Sequence, residues 1–137
     1  MTHPLIDKVE AAQLKTDLPA VNIGDTVDVH CRIVEGDKER IQVFGGVVIS
    51  GKGEGVNKVI TVRRIVANEG VERIFPINSP RVVKIEVKRQ GHTRRSKLYF
   101  LRERVGKSRR LRDKRRGLAT PGDVTEPVTS GLSDTKA

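Results

Sequence analysis

Thr26-Val27-Asp28-Val29-His30-Cys31-Arg32-Ile33 is the stretch that decides the fold. Val27, Val29, Cys31 and Ile33 fall on one face and Asp28, His30 and Arg32 on the other, the period of two that marks a half-buried strand. Working outward, Glu35-Gly36-Asp37-Lys38 supplies a hairpin turn, and the chain returns through Ile41 and Val43 towards Val47 and Ile49. Gly45-Gly46 lies inside that return, where a bulge or sharp bend is expected. A glycine-rich loop, Gly51-Lys52-Gly53-Glu54-Gly55, leads into a strand from Val59 to Val66. Two more strands are expected at Val71 to Phe75 and at Val82 to Lys88, where Val83, Ile85 and Val87 alternate with Lys84, Glu86 and Lys88. Pro76 and Pro80 bracket a non-strand corner. Five or so β-branched strands without intervening helices predict a mostly β chain closed into a small antiparallel barrel.

The flanks have other periods. Leu5, Val9 and Ala12 predict a short helix between Thr2 and Leu14, ended before Pro19. After Gly91, Leu98, Leu101 and Val105 are spaced by three and four, which predicts a partly helical C-terminal extension with Gly106 as the helix stop. Four segments follow: an N-terminal helix and linker (1–20), the barrel (21–90), a basic extension (91–117) and an acidic tail (118–137), rich in Thr, Ser, Pro and Gly and expected to be disordered. A barrel of about seventy residues with no staple is marginal alone, so folding and partner binding are expected to reinforce each other.

Charge indicates the partner. The chain has 137 residues, 36% hydrophobic and 32% charged, with 27 Lys and Arg against 17 Asp and Glu, a formal charge of +10. Residues 1–20 carry −1, residues 21–90 carry +3, residues 91–117 carry +10 and residues 118–137 carry −2. In 91–117 twelve basic groups face only Glu103 and Asp113. That many like charges in one segment repel each other unless phosphates neutralise them, which points to nucleic acid. The few apolar residues there, Leu98, Tyr99, Phe100, Leu101 and Val105, offer little to bury, so the extension is expected to become ordered on RNA. No apolar run is long enough for a membrane span and the N-terminus lacks a signal-peptide pattern, so a soluble intracellular protein is expected, with no membrane partner.

Other chemistries have weak support. Cys31 is the single cysteine and reads as a small buried hydrophobe. His3, His30 and His92 lie far apart, without a second ligand at metal spacing. The loop Gly51–Gly55 lies between strands and lacks the Gly-Lys-Ser/Thr ending of a phosphate-cradling loop. Ser79 precedes a proline and is not in a nucleophile elbow. No enzyme, cofactor or small-molecule substrate is expected. Four aromatics, Phe44, Phe75, Tyr99 and Phe100, are too few for a platform that stacks successive bases. In Arg63-Arg64 a central strand sends the two guanidiniums to opposite faces. The pair reads either as protection of an edge strand or as a second phosphate contact.

Longer strings add a resemblance. Gly24-Asp25-Thr26-Val27-Asp28-Val29, Glu35-Gly36-Asp37-Lys38-Glu39-Arg40-Ile41-Gln42-Val43-Phe44 and Gly46-Val47-Val48-Ile49 resemble the bacterial large-subunit ribosomal protein L-nineteen family. So, in the same order, do Thr61-Val62-Arg63-Arg64-Ile65, Gly70-Val71-Glu72-Arg73-Ile74-Phe75-Pro76, Ser79-Pro80 and Arg94-Arg95-Ser96-Lys97-Leu98-Tyr99-Phe100-Leu101-Arg102. The likeness covers roughly residues 4–117. It implies an SH3-like barrel with a basic extension, bound to large-subunit rRNA near the small subunit, where it helps form an inter-subunit bridge. It also implies small-subunit rRNA and neighbouring large-subunit proteins as partners, a cytoplasmic ribosomal location and no catalysis. Gly45 departs from the pattern, standing where the family usually has an acidic residue, and nothing carries over beyond Gly117.

The RNA-binding residues expected on these grounds are Arg63, Arg64, Arg94, Arg95, Lys97, Arg102, Arg104, Lys107, Arg109, Arg110, Arg112, Lys114, Arg115 and Arg116. Arginine outnumbers lysine nine to three in 91–117, which suits a planar donor fork that grips phosphate oxygens or stacks on bases. Backbone and shape recognition is expected to dominate base reading. The competing readings are a free-standing nucleic-acid-binding regulator or chaperone, and an enzyme acting on RNA.

Overall fold

A computed structural model describes residues 3–114. Helix α1 (Pro4–Gln13) is followed by strands β1 (Thr26–Glu35), β2 (Lys38–Lys52), β3 (Val59–Val66), β4 (Glu69–Pro76) and β5 (Val82–Arg89), with 3-10 turns at Gly55–Asn57, Tyr99–Arg102 and Gly106–Arg109. The strands form one antiparallel sheet in the order β4-β3-β2-β1-β5. The expected closed barrel is therefore corrected: β4 and β5 are the two ends of the ladder and no described strand joins them. The alternation in β1 acts as expected, burying Val27, Val29 and Cys31. These pack with Phe44 and Val48 of β2, Ile60 and Val62 of β3, Phe75 of β4, Ile77, and Val82 and Ile85 of β5. Every strand thus contributes to one core, although the ladder is open.

Two bulges reassign residues that period alone misplaces. Between β1 and β5 the register steps from His30 opposite Lys84 to Cys31 opposite Val82, skipping Val83. Val82 is thereby turned into the core and Val83 is left 48% exposed, which corrects the expected Val83-Ile85-Val87 face. Between β2 and β3 the register skips Ile49. The expected bulge at Gly45-Gly46 is absent from the β1–β2 ladder, where Gly46 faces Val27 and Gly45 faces Asp28 in regular pairing. Gly46 is needed there for close approach, since a Cβ would lie 2.5 Å from the Arg63 carbonyl oxygen.

The C-terminal extension also differs from expectation. There is no α-helix in the described part of 91–117, only the 3-10 turns Tyr99–Arg102 and Gly106–Arg109, and Gly106 opens the second turn where it was expected to stop a helix. Val105 is 75% exposed, whereas Leu98 and Leu101 are buried with Ile49 in a second core that also takes Ile23, Val47, Phe100 and Leu111. The spacing of three between Leu98 and Leu101 does not mark a helix face; both residues bury against the opposite face of β2. The expectation that this segment has little to bury is corrected at Leu98 and Leu101, while Tyr99 and Val105 remain exposed. At the other end α1 buries none of its residues and is capped by His3, whose Nδ1 accepts from the Leu5 N–H. Its linker is fastened by Lys15, whose Nζ donates to the Ser79 and Val82 carbonyls.

Candidate nucleic-acid interface

The extension is positioned by what the β2 bulge leaves over. Ile49 has no ladder partner in β3, and its carbonyl accepts from the Leu98 N–H at 2.8 Å while its side chain packs on Leu98 and Leu101. A buried carbonyl needs a partner, and here the extension supplies it. The base of the extension is closed as well. Gly91 bridges Asp113, the His92 N–H donates to the Arg112 carbonyl at 2.7 Å and the Lys114 N–H to the Gln90 carbonyl at 3.0 Å. Asp113 also pairs with Arg89 of β5. Residues 91–113 therefore leave the sheet and return to where they left it, touching the second core at mid-course.

A third attachment is ionic. Arg102 Nε donates to Glu72 Oε1 at 2.7 Å and its Nη2 to Oε2 at 2.8 Å, a bidentate pair with β4. Arg63 Nη1 donates to the same Oε1 at 2.8 Å from β3, where Arg63 and Glu72 are register partners. The Arg102 hydrogen bonds, more than those of Arg63 and against the effect of burial, hold the Glu72 carboxyl below its ordinary range. Arg102 lies 4.4 Å from the Tyr99 ring centroid. Arg63 and Arg102, both expected to contact RNA, are thus committed to an intramolecular acid.

The other expected site residues fall into groups. Arg64 does lie on the opposite face from Arg63, over the Phe44 ring, and since β3 is an interior strand the pair does not protect an edge. Arg94, Lys97, Lys107, Arg110, Arg112 and Lys114 are exposed and make no side-chain hydrogen bond or ion pair among the described residues. Arg95 and Arg104 lie 5.7 and 4.5 Å from the Phe100 ring centroid, and Arg109 Nε donates to the Arg104 carbonyl. Arg115 and Arg116 lie outside the described residues, as does the whole tail 118–137.

Two acids and one arginine outside the expected set also shape this site. Glu72 and Asp113 organise the extension, and the retention of an acid within a segment of +10 was the available signal for Asp113. Arg73 lies 5.6 Å from the Phe44 centroid and 5.1 Å from that of Phe75, covering one end of the core, a contact between β4 and β2 that no local pattern announces. The departure at Gly45 has a local counterpart. Asp28, its register partner, puts Oδ1 2.5 Å from where a Gly45 Cβ would stand and lies 3.7 Å from Lys88 Nζ. A carboxylate therefore occupies this spot, supplied from the facing strand. Cys31 is buried, and that burial pushes its thiol up, as suits a hydrophobe.

An open antiparallel sheet with an arginine-rich excursion docked on one face defines a class, the small basic β protein that presents cations from a sheet scaffold. Residues 4–114 match the family model described as Ribosomal protein L19. The large ribosomal subunit protein bL19 of Rhodopirellula baltica is 60% identical over 116 residues, which span 85% of this chain and 99% of that protein. The chain belongs to the Ribosomal protein L19 family.

Proposed function

We propose that this chain is a structural constituent of the large ribosomal subunit that stabilises rRNA and performs no catalysis. The observation that carries the proposal is the docked excursion. Its cations cannot neutralise one another, and a fold that fixes them on a sheet is stabilised by a polyphosphate partner. Family membership supplies the setting, a cytoplasmic ribosome, through the relative described as a large ribosomal subunit protein. In this reading Arg64, Arg94, Arg95, Lys97, Arg104, Lys107, Arg109, Arg110, Arg112 and Lys114 contact rRNA phosphates, together with Arg115 and Arg116. Arg63 and Arg102 serve mainly by holding the extension through Glu72.

The same proposal includes contact with small-subunit rRNA in an inter-subunit bridge and with neighbouring ribosomal proteins. It also includes division into a helix and linker (1–20), a sheet scaffold (21–90), an RNA-binding extension (91–117) and a tail (118–137). The SH3-like reading of the scaffold is supported in an open form, by the first core, to which all five strands contribute. The test is sedimentation of the tagged chain. It should travel with large subunits and stay there through a moderate-salt wash, and a predominantly free cytosolic pool would overturn the reading.

A further inference from the structure

Four aromatic rings are too few to stack successive bases, but a guanidinium plane can stack on a single base as well. On the extension, Arg94, Arg95, Arg104 and Arg112 join Leu98 and Phe100 in lining a pocket of about 440 Å³ that no carboxylate lines. Its size falls within the roughly 300–1,000 Å³ of small-ligand sites. Leu98 is 1% exposed and belongs to the second core, so the apolar part of the lining is held by the fold. Two of the four arginines are held too. Arg104 lies 4.5 Å from the Phe100 centroid, its Nη1 donates to the Ser108 carbonyl and its own carbonyl accepts from Arg109. Arg95 lies 5.7 Å from the same ring.

A continuous duplex backbone makes poor use of such a place, because phosphates on a duplex are met by cations spread along a surface and gain nothing from an apolar wall. A single nucleotide turned out of its stack offers both a π-face and an anion. Its base can lie on guanidiniums that gather beside an aromatic ring, while neighbouring arginines meet its phosphate. We propose that this pocket seats one unstacked nucleotide of RNA, its base stacked on the Arg95 and Arg104 guanidiniums beside Phe100 and its phosphate held by Arg94 and Arg112. The proposal rests on the RNA-binding reading above and narrows it to one site and one RNA feature, a bulged or flipped residue.

The experiment measures binding of the full chain to two RNA hairpins alike in length and phosphate count, one with a single adenosine bulge and one with an abasic residue in that bulge. The adenosine bulge should bind about tenfold tighter, the scale of one stacked base. Arg104→Lys keeps the charge and removes the plane, and Phe100→Leu keeps the apolar volume and removes the ring. Each should bring the ratio of the two affinities close to one, whatever it does to binding of the abasic hairpin, and amide protection retained at Leu98, whose N–H is bonded to the Ile49 carbonyl, shows that the extension is still folded. Equal affinity of the unaltered chain for both hairpins overturns the pocket while leaving phosphate binding intact. A preference that survives both substitutions places the base elsewhere and overturns the assignment. Failure to bind either RNA defeats the RNA-binding reading itself, and the pocket with it.

Discussion

Glu72 sits between two arginines from different parts of the chain, and its protonation state is therefore a property of the fold. Its folded pKa is depressed, so the stability it contributes is complete above the unfolded value of 4.5 and is lost as pH falls below that. Glu72→Gln should flatten this acid-side loss in urea titrations between neutral pH and pH 3. Glu72→Ala should cost about 1–2 kcal/mol at neutral pH, mainly because it leaves the Arg63 charge, with a side chain only 15% exposed, without its acid. Gly45 gives a second residue-scale test. Gly45→Asp sets an acid directly against Asp28, so thermal unfolding should show a loss of about 1 kcal/mol. Adding Asp28→Asn should recover most of that loss, and an equal cost in both backgrounds would mean that the two positions do not interact.

Elements here are fixed by what bulges expose. The Ile49 bulge presents a carbonyl and a side chain to the same segment, and Leu98 takes both. Amide exchange in the isolated protein should therefore show protection at Leu98 and His92, whose N–H groups are bonded across the base and middle of the excursion. Leu98→Ala should weaken docking by about 2–5 kcal/mol, the cost of emptying a buried leucine site. Exchange should then rise across 91–113 while the β1–β2 ladder stays protected. Unchanged exchange at His92 in that variant would show that the base of the excursion closes without its middle.

At the scale of the whole molecule, the question is how the charge of 91–117 divides between holding the fold and binding RNA. Replacing Arg94, Lys107, Arg110 and Arg112 together by Gln should weaken RNA binding and lower the log–log salt slope by about 3–4 units, leaving the sheet folded. Arg102→Gln should instead loosen the extension and change the slope little, since its guanidinium is already spent on Glu72. A slope unaltered by the fourfold change would mean that those side chains do not touch phosphate.

The strands, the first hairpin and the concentration of charge were legible because each depends on neighbours in sequence. Period two in β1 is a local property, and so is a run of arginines. The Val83 and Ile49 bulges were not legible, because a skipped residue is defined by the partner strand's register. The helix expected over Leu98, Leu101 and Val105 failed for a related reason: spacing records which residues share a face and not whether that face belongs to a helix or to two turns laid on a sheet. Sequence thus determined that the chain is mostly β, which residues of β1 are buried and where its cations are concentrated. Only the tertiary structure decided that the sheet stays open and that the extension folds back onto β2. It alone decided which arginines are committed to Glu72, because hydrogen bonds and ion pairs between residues thirty positions apart exist only once packing has brought them together.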